Sequence, residues 1–245
     1  MSIKFIILGC GSSLGVPRID GFFGNCDPKN KKNYRTRCCA LIKSKNKNVL
    51  IDTSPDLKQQ LIKNKINNID KVFYTHHHAD QTHGINELRF FYLKNRKKID
   101  IYTNNLTKKY LLNSFGYCFK KNREYPPILQ NNSLKKKHSY KDNGKIISLK
   151  SIKVEHGNID SICYVINNKL AYASDVSKIH KKDLKSLNNL KYLVIDCLQY
   201  NYHPSHYCLT DILLLIKNIK PKKTILTNLA SSIAVSYTHL TLPTT

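Results

Sequence analysis

The segment KVFYTHHHADQTHG, residues 71–84, decides how this chain reads. Residues 71–75 are mostly apolar, aromatic or β-branched, which predicts a strand. Four histidines and an aspartate then fall within residues 76–83. In extended backbone, residues two apart point to the same side. His76, His78 and Asp80 therefore project together, while His77 and Ala79 face away. Two imidazoles and a carboxylate converging beyond a strand end suit a divalent metal ion. Gly84 permits a close backbone approach where a helix begins. His83 reads as a residue of the first helical turn, with metal ligation as the alternative.

Other apolar runs end in polar residues of the same kinds. LID ends in Asp52, VEHG supplies His156, and YASD ends in Asp175. Apolar runs bounded by turn signals predict strands at 3–9, 38–43, 48–52, 71–75, 99–103, 146–155, 161–166, 169–173, 191–196 and 223–228. Helical patterns fall at 55–64, 83–94, 105–117, 180–188 and 208–219. The elements come in two successive rounds. That order predicts an α/β fold, an αββα sandwich of two mixed β-sheets with outer helices. Residues 11–37 form a long loop rich in Gly, Pro and basic residues, of the kind that is usually functional. Residues 118–145 read as a surface insertion.

The chain has 245 residues, 41% of them apolar, enough for a packed core. No run reaches the ~20 apolar residues of a membrane span. Eight cysteines are scattered without a CxxC pair, which predicts a reduced, cytoplasmic protein. The net charge is +25. It favours an anionic partner, a small phosphate ester or nucleic acid. Lysines spread along the whole chain also fit compositional drift. From Ser231 onward, SSIAVSYTHLTLPTT contains no Lys, Arg, Asn, Asp or Glu. It resembles a translated sequencing adapter. The expected organisation is one domain over 1–230 and a non-native tail over 231–245, so His239 has no role.

The pattern H-x-H-x-D-H of metallo-β-lactamase-fold hydrolases matches at His76, His78 and Asp80, with Gln81 in place of the last histidine. The resemblance carries further positions. It implies His156 as a ligand, Asp175 as the carboxylate shared by two metals, and Asp52 as the buried aspartate that braces the ligand loop. GCGSSLGVPR near the N-terminus and HPSH at 203–206 resemble the phosphodiesterase branch that includes carbon–phosphorus lyase accessory enzymes and lies close to tRNase Z. Some members hold a structural zinc on cysteines of the first loop. Only Cys26 stands there, so no such site is expected. The family's last histidine follows the final strand. Here TILTNL runs into Ala230, which reads as truncation.

The resemblance implies Zn2+ or Mn2+. One strong site would use His76, His78 and His156 with Asp175. A weakened second site would use Asp80, shared Asp175 and, weakly, Gln81. The implied reaction is hydrolysis of a phosphodiester, such as a cyclic ribose phosphate, by metal-activated water. Asp80 would ligate the second metal or orient the nucleophile. His206 would bind phosphate or act as general acid, supported by His203, with Arg18 clamping phosphate. Nucleic acid is a second candidate partner, a homodimer is compatible, and no membrane is involved. Alternatives are a tRNA 3′-processing endoribonuclease, or a metal-poor relative that binds nucleic acid without catalysis. Thiolester or lactam hydrolysis would share the metals but leave HPSH unexplained.

Overall fold

The structure, a computed structural model, describes residues 3–123, 125–234 and 239–240. Of the tail expected to be non-native, 235–238 and 241–245 lie outside the described residues. The chain divides into two compact units. One comprises 1–9, 37–135 and 142–145, the other 10–36, 136–141 and 146–245.

The first unit carries a six-stranded mixed sheet in simple sequence order. Its strands are β1 (Lys4–Gly9), β2 (Cys39–Lys43), β3 (Asn48–Ile51), β4 (Lys71–Phe73), β5 (Ile99–Thr103) and β6 (Leu129–Ser133). The first three pair antiparallel, the rest parallel. The helices α1 (Leu57–Lys63), α2 (Ala79–Thr82), α3 (Leu88–Asn95) and α4 (Asn105–Ser114) fill the crossovers. Leu57, Leu61, Leu88, Phe91 and Leu111 from these helices share one core with Leu41, Leu50, Val72 and Ile101 of the sheet. Near-continuous apolar strands such as Val49–Ile51 are buried, as parallel strands covered by helices demand.

The second unit carries β7 (Lys137–Asp142), β8 (Lys145–His156), β9 (Ile159–Ile166), β10 (Leu170–Ala173), β11 (Tyr192–Asp196), β12 (Thr224–Thr227) and β13 (His239–Leu240). Its sheet runs in the order β13-β12-β11-β10-β9-β8-β7. The central β10, β11 and β12 are parallel. The helices are α5 (Lys181–Leu184) and α6 (Leu209–Ile219). In α6 the buried residues are Ile212, Leu215, Ile216 and Ile219. That spacing makes one apolar helical stripe, and it joins Leu193, Ile195 and Leu226 in the core. Among the described residues no helix is long and apolar enough to cross a membrane.

Two expectations need correction. Residues 118–145 are not a plain insertion: they contain β6 and β7. Their sequences, LQNNS and KHSYKD, show no apolar alternation, because β6 is held by five register pairs with β5 rather than by burial. The helix expected at 83–94 starts earlier and is broken, as α2, a 3-10 turn at Ile85–Glu87, and α3. The 11–37 loop is irregular as expected. A bridge between Val16 and Arg35 pins its middle.

Candidate metal centre

In the first unit, parallel pairing of β3 and β4 brings their carboxyl ends side by side. Asp52 follows β3 and is fully buried. Its two carboxylate oxygens accept the Thr75 backbone N–H at 2.7 Å and the Thr75 hydroxyl at 2.9 Å. Asp52 also sits at φ 65°, a left-handed conformation that costs a non-glycine residue roughly 1 kcal/mol. The two hydrogen bonds to Thr75 hold it there.

The Thr75 hydroxyl lies 3.0 Å from His76 Nδ1. A hydroxyl has one proton, and here it goes to the Asp52 carboxylate, which can only accept. His76 Nδ1–H must then donate to Thr75 Oγ1. That fixes the tautomer with the lone pair on Nε2, the form a metal ligand needs. Asp52 is thereby linked through Thr75 to the proton on His76.

His76 and His78 lie on one side, their rings 4.6 Å apart. The extended run expected to reach Asp80 stops at His78, which caps α2. The His78 carbonyl accepts from Gln81 N–H at 3.1 Å and from the Thr82 hydroxyl at 2.8 Å. With the β4 ladder over at Phe73, a helical turn satisfies this backbone. Asp80 lies in the first turn, where a helix favours an acid.

Gln81 is fully buried. Its amide nitrogen donates to Asp80 Oδ2 at 3.2 Å, so it steadies that carboxylate. Gly84 lies against the neighbouring loop, and a Cβ there would overlap the Ser54 carbonyl oxygen. His83 closes α2, is exposed, and places Nε2 2.8 Å from the Tyr110 hydroxyl.

In the second unit, His156 ends β8 and Asp175 lies just past β10. His206 lies in the segment before α6. One ligand atom from each of these three lies within 4.8 Å of the others. His156 Nδ1 is 2.6 Å from the Ser205 carbonyl oxygen. A carbonyl only accepts, so Nδ1 carries the proton and Nε2 the lone pair. Burial pushes the His156 pKa down, against the opposing pull of Asp175 and the Ser205 carbonyl, and His206 lowers it further. That direction favours the neutral ring, which ligation requires.

Asp196, buried at the end of β11, was not visible as a site residue in the sequence. Its Oδ2 lies 2.6 Å from His206 Nδ1 and accepts the Val176 backbone N–H at 2.9 Å. Asn228, also missed, donates through its amide nitrogen to Asp175 at 3.2 Å and to Asp196 at 3.1 Å. Both follow strands, YLVID and TILT, and the strand-end pattern of Asp52 and Asp175 was the available signal. His203 Nδ1 accepts from the Ser205 backbone N–H at 3.2 Å, and its ring lies 5.1 Å from His206. Burial, then His206 and His156, lower the His203 pKa. The Arg18 guanidinium lies over the Phe22 ring and is paired with Asp20 on the loop surface. Each unit thus presents imidazoles with an assigned lone pair beside a carboxylate, a donor set that fits a divalent ion.

The strands, helices and donor set define a metallo-β-lactamase-fold protein of the hydrolase class. A family model described as the beta-lactamase superfamily domain matches residues 47–227, and the chain belongs to that superfamily. A crystal structure described as a new diphosphatase from the PhnP family is 26% identical, with a TM-score of 0.85 over 95% of this chain and 88% of that one. Human tRNase Z, short form, is 15% identical, with a TM-score of 0.67 over 98% of this chain and 99% of that one. Zinc-bound PqqB from Methylobacterium extorquens is 13% identical, with a TM-score of 0.74 over 93% and 89%. The last two show the fold alone. Structural neighbours thus include the phosphodiesterase branch. A curated relative named octanoyltransferase, from Porphyromonas gingivalis (strain ATCC BAA-308 / W83), is 27% identical over 97% of this chain. That match covers 48% of the relative, so the chain spans about half the relative's length.

Proposed function

We propose that the chain is a metal-dependent hydrolase of a small anionic phosphodiester. The carrying observation is the His206–Asp196 pair set against His156 and Asp175. The leaving oxygen of a phosphodiester needs a proton, which His206 of HPSH is placed to supply. The 26% identical PhnP-family structure, described as a diphosphatase, supports phosphoryl chemistry.

The ligands we assign are His76, His78 and Asp80 in the first unit and His156 and Asp175 in the second. Gln81 adds at most a weak carbonyl ligand, and its amide nitrogen already serves Asp80. Zn2+ or Mn2+ suits these donors. Such an ion, when bound, supplies Lewis acidity toward water and phosphoryl oxygen at neutral pH. Thr75 and Ser205 present the correct histidine nitrogens. Asp196 fixes the proton on His206 Nδ1 and stabilises the imidazolium. His206 Nε2–H then gives its proton to the leaving alkoxide as the ester P–O bond breaks, while the water oxygen bonds to phosphorus and loses its proton to solvent, so the imidazole left behind is reprotonated from solvent for the next turnover. His203 supports His206, and Arg18 is a phosphate clamp only after leaving Asp20.

The test is hydrolysis of a cyclic ribose phosphate and of bis(p-nitrophenyl) phosphate by metal-loaded protein, with His206→Gln alongside. Expected is metal-dependent turnover, cut at least ~100-fold by the substitution. Loaded protein that cleaves no diester, or a variant as fast as the parent, overturns the assignment. The net charge of +25 favours a tRNA 3′-processing nuclease as the second reading. Cleavage of precursor tRNA in preference to both small diesters would establish it.

A further inference from the structure

Beside the metal-ligand loop of the first unit lies an aromatic group that the proposed chemistry does not use. His83 and Tyr110 are joined by a hydrogen bond between their tips, Nε2 to hydroxyl, at 2.8 Å. Their centroids are 6.4 Å apart and their planes differ by 8°. Tip-to-tip contact at that separation means the rings lie end to end in nearly one plane, not face to face. Together they make a flat surface longer than either ring alone.

That surface is held in place. Phe115 packs at 78° to His83 and 71° to Tyr110, with centroids at 5.4 and 6.5 Å. His77 lies 5.7 Å from Tyr110. The outer end is open, since His83 is exposed. A pinned, partly exposed aromatic plane is what base stacking needs, because each base offers a π-face of similar size.

Its position fixes what it would stack. His83 follows Asp80 by three residues across one helical turn, so the two share a helix face. His77, the ring against Tyr110, lies 5.5 Å from the ligand-loop His78. The plane thus starts one helical turn from one expected ligand and two ring contacts from another. A nucleotide spans such a gap between its phosphate and its base.

We propose that His83 and Tyr110, backed by Phe115, form a platform for the base of a nucleoside-containing phosphate substrate. This rests on the phosphodiesterase reading and narrows its substrate class from sugar phosphates to nucleotides. His83 and Tyr110 are specificity residues, and no proton transfer is asked of them.

Equilibrium binding of adenosine 5′-monophosphate and ribose 5-phosphate to the metal-loaded protein tests this, because the second ligand carries a hydroxyl where the first carries its base. The parent should bind the nucleotide about tenfold more tightly, the usual order for one base on an aromatic ring. His83→Ala should bring the two affinities together while leaving ribose 5-phosphate binding unchanged. Tyr110→Phe, which keeps the ring, should retain most of the preference. Equal affinities in the parent, or an undiminished preference in His83→Ala, overturn the platform. A protein that prefers the nucleotide but cleaves no diester keeps the platform and loses the phosphodiesterase reading. One that cleaves base-free diesters with no preference does the reverse.

Discussion

Replacing Thr75 with valine isolates the link between Asp52 and His76. Valine keeps the β-branched shape and the backbone N–H that donates to Asp52 Oδ1 at 2.7 Å. It removes the hydroxyl that donates to Asp52 Oδ2 at 2.9 Å and meets His76 Nδ1 at 3.0 Å. The first loss is a hydrogen bond to a buried charged group, about 1.5–3 kcal/mol. The second strands a buried N–H, about 1–3 kcal/mol. Together these come to about 2.5–6 kcal/mol, and a chain of this size shifts Tm by about 2–4 °C per kcal/mol, so a fall on the order of 5–24 °C is expected. The imidazole also loses the partner that fixes its tautomer, which typically weakens metal affinity by ~10–100-fold. Competition against a chelator measures the affinity, and thermal unfolding of the metal-free protein measures the stability. Thr75→Ser, which keeps the hydroxyl, should restore most of both. If valine binds metal as tightly as threonine, or serine is no better than valine, the proton assignment on His76 is wrong.

Gly84→Ala places a methyl against the Ser54 carbonyl, where backbone has no room to give; overpacking of this kind costs about 1–3 kcal/mol or more, read as a lower Tm. Asp196→Asn should leave metal content near normal but lower kcat on a phosphodiester by at least ~10-fold, since His206 loses the acceptor on Nδ1. Asp56 is partly buried, which raises its pKa, but the hydrogen bonds and charge of Arg37 outweigh this and hold the carboxyl below its usual range. A depressed carboxyl stabilises the fold above its unfolded pKa, and that contribution is lost as pH falls through the folded value. Asp56→Asn should therefore flatten the acid side of a Tm-against-pH curve, and an unchanged slope would remove Asp56 from that account.

Much of the candidate site was legible because the fold delivers its chemistry at strand ends. Asp52, His76, His78, His156 and Asp175 all close or follow apolar runs, and a one-dimensional pattern reveals such positions. The backbone beyond His78 was misread, since nothing in HADQT distinguishes a continuing strand from a first helical turn. The two polar strands β6 and β7 were invisible for a related reason. Ladder hydrogen bonds hold β6, and backbone pairing leaves no trace in side-chain type.

Asp196 and Asn228 show where reading along the chain must stop. YLVID has the same form as the run ending in Asp52, yet many buried strands end in an aspartate that merely turns the chain. What brings Asp196 to the candidate site is register. In the parallel set, Ala173 lies opposite Ile195 and Asp196 opposite Thr227. Asp175, Asp196 and Asn228 therefore emerge at the same edge of one sheet, where open α/β sheets place their ligands. The Asn228 amide can reach both carboxylates only because those registers hold. A shift of one residue would turn each of these side chains to the opposite face. Strand ends are written in the sequence; which ends meet is decided by sheet order. Gln81 follows the same rule. Along the chain it is a substitution in a histidine motif. In the folded unit it is a buried amide holding Asp80 Oδ2, so the weaker half of the expected metal site keeps its carboxylate oriented where the motif has its last histidine.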